Sequence, residues 1–256
     1  MEIDGWRAIE PLAAIGPSER YLVERTDGGR RGMLTLYARG VEPDPDVYEK
    51  LRQSRLEQVA EVLAVGQWEQ RPYEVVEHID GLSLRDLPLG PNDKDTLRNV
   101  IEAVGRALDG FARIGLRHRD LRPEVIQLRD ANPASLVVNG FGAARLSEFD
   151  LDMVSPGETT RYMAPEAVLG GVAPASDWWS LGIILLEKLT AGACFDGVDD
   201  RAFLIHTLTQ GVPLPETLDP DMALLLRGLL ARDRARRWQW QEVRAWLDGE
   251  RNRRRQ

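Results

Sequence analysis

The first 80 residues alternate short apolar runs with polar turns. β-Branched and aromatic residues concentrate at 21–23, 33–37 and 73–76, and a glycine-containing turn at 27–29 separates the first two runs. One short helix, over residues 46–53, fits between the second run and the third. The pattern predicts a small lobe built mainly from strands.

From residue 92 onward the apolar positions follow the period of a helix. Asn92 or Asp93 is a suitable N-cap for a long helix, and Gly115 is suited to end it. Further helices are predicted near 175–191, 199–209, 219–231 and 238–248. A small strand-rich lobe followed by a larger helical lobe is an α+β arrangement. The apolar stripe of the long helix consists of Leu97, Val100, Ile101, Val104, Leu108 and Phe111.

Length and composition narrow the classes of function. The chain has 256 residues and a net charge of -8, which does not favour binding to nucleic acid. Its one cysteine, Cys194, cannot form an internal disulfide, which fits a reducing compartment. The longest apolar run, residues 181–186, is too short to span a bilayer. We therefore expect a cytoplasmic protein with no nucleic-acid partner and no membrane span.

Five short motifs follow one another along the chain: EHIDG at 77–81, HRDLRPE at 118–124, YMAPE at 162–166, SDWWSLG at 176–182 and DRARR at 233–237. In this order they resemble the hinge, the catalytic loop, the end of the activation segment, the central helix and the late structural arginine of Ser/Thr protein kinases. The resemblance covers roughly residues 10–248. Together with the arginine-rich composition, it indicates a member of that family of bacterial type, and the changed positions described below identify it as a degenerate member, a pseudokinase.

The resemblance implies the two-lobed protein kinase fold. We expect an N-lobe at 1–80 that ends at a hinge over 77–83, a C-lobe at 84–250 and a basic tail at 251–256. It also implies that Asp177 accepts hydrogen bonds from the backbone of the loop at 118–125, and that Glu166 pairs with Arg237. The positions that the resemblance marks as structural are His118, Arg119, Phe141, Glu166, Asp177 and Arg237.

The positions that hold ATP phosphates in this family are changed here. Only bare backbone approaches phosphates closely, yet Ala13, Ile15 and Ser18 stand where the family has three glycines. Tyr37 stands at the position of the phosphate-binding lysine, and the first lysine of the chain is Lys50. We therefore expect no nucleotide cofactor.

The two magnesium-ligand positions have also lost their oxygens. They hold Val125 and Gly140, and magnesium requires oxygen ligands. No metal site is expected. Asp120 remains at the position of the catalytic base, but without these partners we interpret it as a residue that supports the fold. Arg122 either binds an anion or pairs with Asp120.

The adenine slot has become polar. Arg20, Thr35 and Gln127 replace the apolar residues that sandwich the ring in the family, while Val76 and Glu77 complete the altered cleft. Because buried polar groups need partners, we expect the three polar side chains to bond across the cleft and fill it.

The sequence therefore predicts a chain that is not an enzyme and acts as a regulatory or scaffolding module. Its partner would be a protein, such as an active kinase or another domain of a longer chain. Two alternatives stay open. One is an unconventional phosphotransferase or nucleotidyl transferase on a kinase fold, and the other is a small-molecule sensor that uses the altered cleft.

Overall fold

The computed structural model describes residues 1–130, 135–154 and 159–249. The N-terminal part is an antiparallel sheet of six strands in the order β1-β2-β3-β4-β6-β5. The helix α1, Pro45–Ser54, lies between β4 and β5 in the chain. The strands are β1 Glu2–Ile3, β2 Trp6–Ile15, β3 Ser18–Arg25, β4 Arg31–Leu36, β5 Val62–Trp68 and β6 Arg71–Glu77.

Helix α1 is defined by its ends and by one apolar face. Asp44 accepts a hydrogen bond from the backbone of Asp46 at 3.0 Å, and Pro45 occupies the first turn, where its missing N–H costs nothing. The face toward the core carries Val47, Tyr48 and Leu51, all buried. This face directs Tyr48 towards the sheet.

The C-terminal part is mainly helical. In the described residues, short strands between its helices form three antiparallel pairs: β7 with β10, β8 with β9, and β11 with β12. The helices are α2 Lys94–Arg113, α3 Pro165–Val168, α4 Pro174–Leu189, α5 Asp200–Gln210, α6 Pro220–Leu229 and α7 Trp240–Leu247. The short strands are β7 Leu116–Arg117, β8 Ile126–Leu128, β9 Leu136–Val138, β10 Arg145–Leu146, β11 Asp152–Met153 and β12 Gly171–Val172.

Helices α2 and α4 form the centre of the C-terminal part. Trp178 and Trp179 of α4 are almost fully buried, as is most of that helix. Helix α7 packs closely on α2, since a Cβ added at Gly105 would lie 2.8 Å from the ring of Trp240. A helix buried on nearly all sides belongs to the interior of a domain, and α4 therefore provides a rigid base for the loops above it.

The predicted α+β, two-lobed class is confirmed. The helices expected at 46–53, 175–191, 199–209, 219–231 and 238–248 are present within two residues or so of the predicted ends. Strands β1, β2 and β5 were not predicted. In β2, most residues are exposed and carry no alternating pattern. The lobe and hinge boundaries stay predictions, and the basic tail at 251–256 lies outside the described residues.

No helix in the described ranges combines the length and the apolar character needed to cross a membrane.

Candidate functional site

A cavity of about 650 Å³ lies between the six-stranded sheet and the loops of the helical part. We call it the cleft. Its roof is formed by β3 and β4, and its floor by the 118–125 loop, which connects β7 to β8, together with residues 139–145 that follow β9. Residues of three of the five motifs, those at 118–124, 162–166 and 176–182, thus meet at this cavity.

Asp177 holds the 118–125 loop from below. Its Oδ2 accepts the backbone N–H of His118 at 2.8 Å, and its Oδ1 accepts that of Arg119 at 2.9 Å. Arg119 has a φ of 68°, a conformation that is costly for a residue other than glycine. Burial raises the pKa of Asp177. The carboxylate therefore fixes a strained turn through two hydrogen bonds, of which the one from His118 is buried.

An aromatic stack joins this loop to its neighbours. The rings of His118 and Phe141 are 5.1 Å apart, and both lie against Phe111 of α2 at 6.1 and 5.8 Å. His118 Nε2 is 2.9 Å from the carbonyl oxygen of Asn139. The stack and this hydrogen bond couple the two segments of the cleft floor to helix α2.

Glu166 and Arg237 form an ion pair beneath the cleft. Arg237 Nη1 donates to Glu166 Oε1 at 2.5 Å, and its Nη2 donates to Oε2 at 3.0 Å. The hydroxyl of Ser176 donates to the same Oε1 at 2.8 Å. Although burial opposes the charge, these hydrogen bonds and the arginine lower the pKa of Glu166. The structure thus brings together two residues that are 71 positions apart in the chain.

Tyr37 is part of a buried network that sequence reasoning did not find. Its hydroxyl is 3.4 Å from that of Tyr48 on α1, and the Tyr48 hydroxyl donates to Glu74 Oε2 on β6 at 2.8 Å. Burial raises the pKa of both tyrosines well above the ordinary value, and it raises that of Glu74 as well. Two phenols and one carboxyl group therefore surround the position that the resemblance assigns to a lysine.

The buried carboxyl group of Glu74 leads to a prediction on pH. Because its folded-state pKa is raised, its contribution to stability is fully present below about pH 4.5 and is lost as the pH rises through the raised value. Glu74→Gln removes this titration. We expect the stability of the variant relative to the parent to increase as the pH rises above 4.5, by about 1.4 kcal/mol for each unit of the shift.

Urea denaturation of both proteins at pH 4, 5, 6 and 7 measures this difference, because these pH values lie on both sides of the ordinary pKa of 4.5. A difference that stays constant with pH would show that Glu74 titrates normally. The absolute difference is not the readout, because the new amide of the variant adds a cost that does not depend on pH.

The two positions that the resemblance aligns with magnesium ligands lie side by side in the cleft floor. Val125 is 1% exposed, and Gly140, with a φ of 78°, is adjacent to it. A Cβ at Gly140 would be 2.8 Å from Val125 Cγ1, so no side chain fits there without movement. Asn139, which was not selected from the sequence, donates to Gln127 Oε1 at 2.5 Å. A divalent ion would find no carboxylate or amide oxygen on Val125 or Gly140.

Within residues 1–130, 135–154 and 159–249, no group of three or more His, Cys, Asp or Glu side chains converges as a metal-binding cluster. Val125 and Gly140 therefore do not provide the oxygen ligands that the resemblance assigns to their positions.

Gly140→Ala should destabilise the protein by about 2–4 kcal/mol, because it combines a strained backbone with a steric overlap. The matched control is Gly40→Ala. Gly40 has a φ of 87°, but no atom lies within 4 Å of an added Cβ, so this variant reports the backbone strain alone. Chemical denaturation of the two variants gives the excess cost due to Val125. Equal losses would mean that Val125 moves aside freely.

Asp120 and Arg122 pair at the mouth of the cleft. Arg122 Nε and Nη2 lie 2.9 and 2.7 Å from Asp120 Oδ1. Of the two readings of Arg122, the pair with Asp120 is therefore present in the structure. Both side chains line the cleft, so Asp120 faces the space where a ligand would lie.

The expectation that the three polar side chains bond to one another across the cleft is wrong. The hydrogen bonds of Gln127 and Arg20 are local: Asn139 donates to Gln127, and Arg20 Nη1 lies 3.5 Å from the carbonyl of Ala13 on the neighbouring strand. The roof residues that line the cleft are Ile15, Ser18, Arg20, Thr35 and Tyr37.

The other residues of the predicted cleft lie apart from this cavity. Val76 is fully buried in the core, and Ala13 is exposed on β2. Glu77 forms a bidentate ion pair with Arg129, at 2.5 and 2.7 Å, and also accepts the backbone N–H of Glu61. The described cavity is therefore the phosphate side of the expected cleft rather than its adenine side.

Comparison with known proteins identifies relatives of this architecture. Residues 48–246 match the family model for the protein kinase domain. A serine/threonine-protein kinase of Arabidopsis thaliana is 34% identical over 67% of this chain and 36% of its own length. A serine/threonine-protein kinase of Myxococcus xanthus, Pkn1, is 26% identical over 91% of this chain and 35% of its own.

The probable serine/threonine-protein kinase PknB of Lactococcus lactis is 29% identical over 67% of this chain and 28% of its own length. The chain thus spans about a third of the length of these curated relatives.

These matches contradict one expectation from the sequence. The chain was predicted not to be an enzyme, whereas the family model and the relatives are those of phosphate-transferring enzymes. That prediction was wrong because it inferred activity from single positions. The replaced residues at 37, 125 and 140 describe how a ligand would be held, and they do not by themselves decide whether phosphate is transferred.

Proposed function

The chain belongs to the protein kinase domain family, and from this premise we propose that it serves Ser/Thr kinase signalling as a regulatory module that binds a protein kinase. The support is a contrast between the structural contacts of the fold, which are retained, and the positions for phosphate and magnesium, which are changed. The contacts that maintain the architecture are intact, including Asp177 under the 118–125 loop and the Glu166–Arg237 pair. The positions for the phosphate-binding lysine and the magnesium ligands hold Tyr37, Val125 and Gly140. The retained architecture and its exposed surface support a binding role.

An exposed apolar surface beside the cleft is the proposed contact. Met153 is 63% exposed and Leu169 is 73% exposed. They are neighbours in space because β11 pairs with β12, with Met153 opposite Gly171, and because the backbone N–H of Val154 donates to the carbonyl of Gly170 at 2.9 Å. Large exposed apolar groups that cluster mark interaction sites. We define this apolar surface by Leu151, Met153 and Leu169.

The test uses the whole chain and each Ser/Thr protein kinase of its source organism. We expect one of these kinases to bind the chain and to change its rate of substrate phosphorylation by severalfold. The double variant Met153→Ser, Leu169→Ser should weaken that binding at least tenfold, as measured by interferometry. Ile9→Ser is the matched control, since Ile9 is 46% exposed but lies on β2, outside the apolar surface.

Unchanged rates for every kinase would overturn the regulatory role. Equal losses for the double variant and the control would overturn the assignment of the surface.

A second candidate function is phosphoryl transfer, which the family match favours. The observation that supports it is the position of Asp120, which lines the cleft and is oriented by Arg122. Incubation with γ-labelled ATP and magnesium or manganese tests it, with Asp120→Asn as the variant. Label incorporation that is lost in the variant supports transfer by this residue; incorporation that the variant retains argues against it.

A further inference from the structure

The segment at 148–153, which leads into β11, has the sequence EFDLDM and so alternates acidic with apolar residues. Its three apolar side chains are exposed: Phe149 by 68%, Leu151 by 40% and Met153 by 63%. Leu151 Cδ1 is 3.2 Å from the place where a Cβ at Gly171 would lie, so this side chain rests on β12. The segment thus supplies two of the three residues of the apolar surface, and Phe149 adds another exposed apolar group two residues away.

The main chain of this segment is held in place by the helical part of the fold. Arg117 Nη2 lies 3.5 Å from the carbonyl oxygen of Phe149, and Arg234 Nη1 donates to the carbonyl oxygen of Asp150 at 3.3 Å. The pairing of β11 with β12 fixes the end of the segment. A surface whose backbone is already ordered loses less conformational entropy when a partner binds to it.

The acidic side chains of the segment carry charge that the rest of the structure does not balance. Among the described residues, Glu148, Asp150 and Asp152 form no ion pair. Asp152 Oδ1 accepts the backbone N–H of Met153 at 2.8 Å, a contact that leaves its negative charge in place. Asp150 acts electrostatically on the buried Arg117, so its charge is partly offset. Glu148 and Asp152 therefore supply most of the unbalanced charge beside the apolar surface.

These two features together limit the chemistry of a partner. A purely apolar partner would cover the carboxylates and leave their charges without a counter-charge, which is costly. A purely basic partner would gain little, because ion pairs at an exposed surface stabilise only weakly. A partner segment with both kinds of side chain covers the apolar groups and pairs the carboxylates at the same time. Arginine suits this task, because its planar guanidinium binds a carboxylate with two N–H groups and also stacks on aromatic rings.

We propose that the 148–153 segment, together with Leu169, binds a peptide segment of the partner in which arginines are interleaved with large apolar residues. The arginines pair with Glu148 and Asp152, and the apolar side chains pack on the apolar surface. A net charge of -8 over the whole chain also favours the approach of a basic partner. The inference rests on the proposed function for the place of the contact, and it adds the chemistry of the segment that binds there.

A synthetic peptide of four Arg-Leu-Ser repeats is the probe, and calorimetry with the whole chain measures its binding. We expect saturable binding at one site, which higher salt weakens. Peptides of four Glu-Leu-Ser repeats and of four Arg-Ser-Ser repeats should each bind at least tenfold more weakly, because each lacks one of the two kinds of side chain. Equal binding of either control peptide, or no binding of the probe, would overturn the proposal.

Two double variants of the chain locate the site. Glu148→Gln with Asp152→Asn should weaken the binding of the probe at least tenfold, while Asp152→Asn keeps a side-chain oxygen for the N–H of Met153. The matched control is Glu10→Gln with Glu57→Gln, which makes the same change in net charge at exposed positions on β2 and after α1. Equal losses for the two double variants would show general attraction to an acidic chain and contradict the proposal.

Binding of the kinases themselves separates the failure of this inference from the failure of the proposed function. If a kinase binds and Glu148→Gln with Asp152→Asn leaves its affinity unchanged, the partner uses no basic side chain here and this inference alone fails. If the probe binds at this surface while no kinase binds, the proposed function alone fails. Self-association that Met153→Ser with Leu169→Ser abolishes, measured by analytical ultracentrifugation, would assign the surface to a second copy of the chain and overturn this inference.

Discussion

Glu166→Ala should lower the free energy of unfolding by about 3–5 kcal/mol, because it leaves a buried cation without its carboxylate. The guanidinium of Arg237 has no exposed surface, and both of its terminal nitrogens donate to Glu166. Backbone carbonyls at Ala175, Ala231 and Arg232 accept its other N–H groups, but they do not balance its charge. Urea denaturation followed by circular dichroism measures the loss.

The control is a pair of the same chemistry at the surface. Glu102 and Arg106 are one helical turn apart on α2 and about half exposed, at 45% and 54%. Glu102→Ala should therefore change stability by less than about 0.5 kcal/mol. If the two glutamate variants lose equally little, the pair at Arg237 is not a stabilising element of the fold.

The charge of Glu166 gives the same pair a defined dependence on pH. The folded-state pKa of this carboxyl group is lowered. Its contribution to the free energy of unfolding is therefore present above pH 4.5 and is lost as the pH falls through the lowered value. The stability gap between the parent and Glu166→Gln should therefore narrow in acid. A gap that widens below pH 4.5 would contradict the assignment of the shift.

The helical part of the fold was predictable because its signals are local. The stripe on α2 repeats at three and four residues, and helix caps such as Asp199 lie within a few residues of the groups they bind. The edge strand β2 gave no such signal. Its placement depends on the pairing with β3, and most of its side chains face water, so its composition does not indicate a strand.

For the candidate site, the sequence predicted which single positions are changed but not the contacts between them. The motif alignment identified the replaced residues Tyr37, Val125 and Gly140, but it did not reveal what replaced them in three dimensions. Tyr48 and Glu74 lie 11 and 37 residues from Tyr37 along the chain and meet only after α1 packs on the sheet. A contact that depends on tertiary packing leaves no periodic or motif signal.

Arg20 illustrates a second limit of prediction from the sequence. The sequence marked it as a polar replacement, and the rule that buried polar groups find partners favoured a bond across the cleft. In the folded chain it is buried beside Met33, and its Nη1 lies 3.5 Å from the carbonyl of Ala13 on the neighbouring strand. General rules on burial predict that a partner is needed, whereas only the structure shows which groups lie nearby.

Asp177→Ala should have an effect on stability as large as that of Glu166→Ala, and it should act on the 118–125 loop in particular. It removes the acceptor of two backbone N–H groups, those of His118 and Arg119, and Asp177 itself is 4% exposed. Each buried donor without an acceptor costs about 1–3 kcal/mol. The positive φ of Arg119 then loses the backbone hydrogen bond that supports it. We expect a loss of about 3–5 kcal/mol.

Hydrogen exchange distinguishes this local role from a general loss of stability. The amides of His118 and Arg119 should lose protection in Asp177→Ala more than those of the α4 core. The matched control is Asp199→Ala, which removes a carboxylate that accepts the backbone N–H of Ala202 at 2.7 Å at an exposed helix start and should cost about 1 kcal/mol. If exchange at 118–119 were unchanged in Asp177→Ala, the loop would keep its shape without the carboxylate. Because Asp120 follows Arg119 directly, a loop that does lose its shape would also displace the one acidic side chain through which phosphoryl transfer has been proposed.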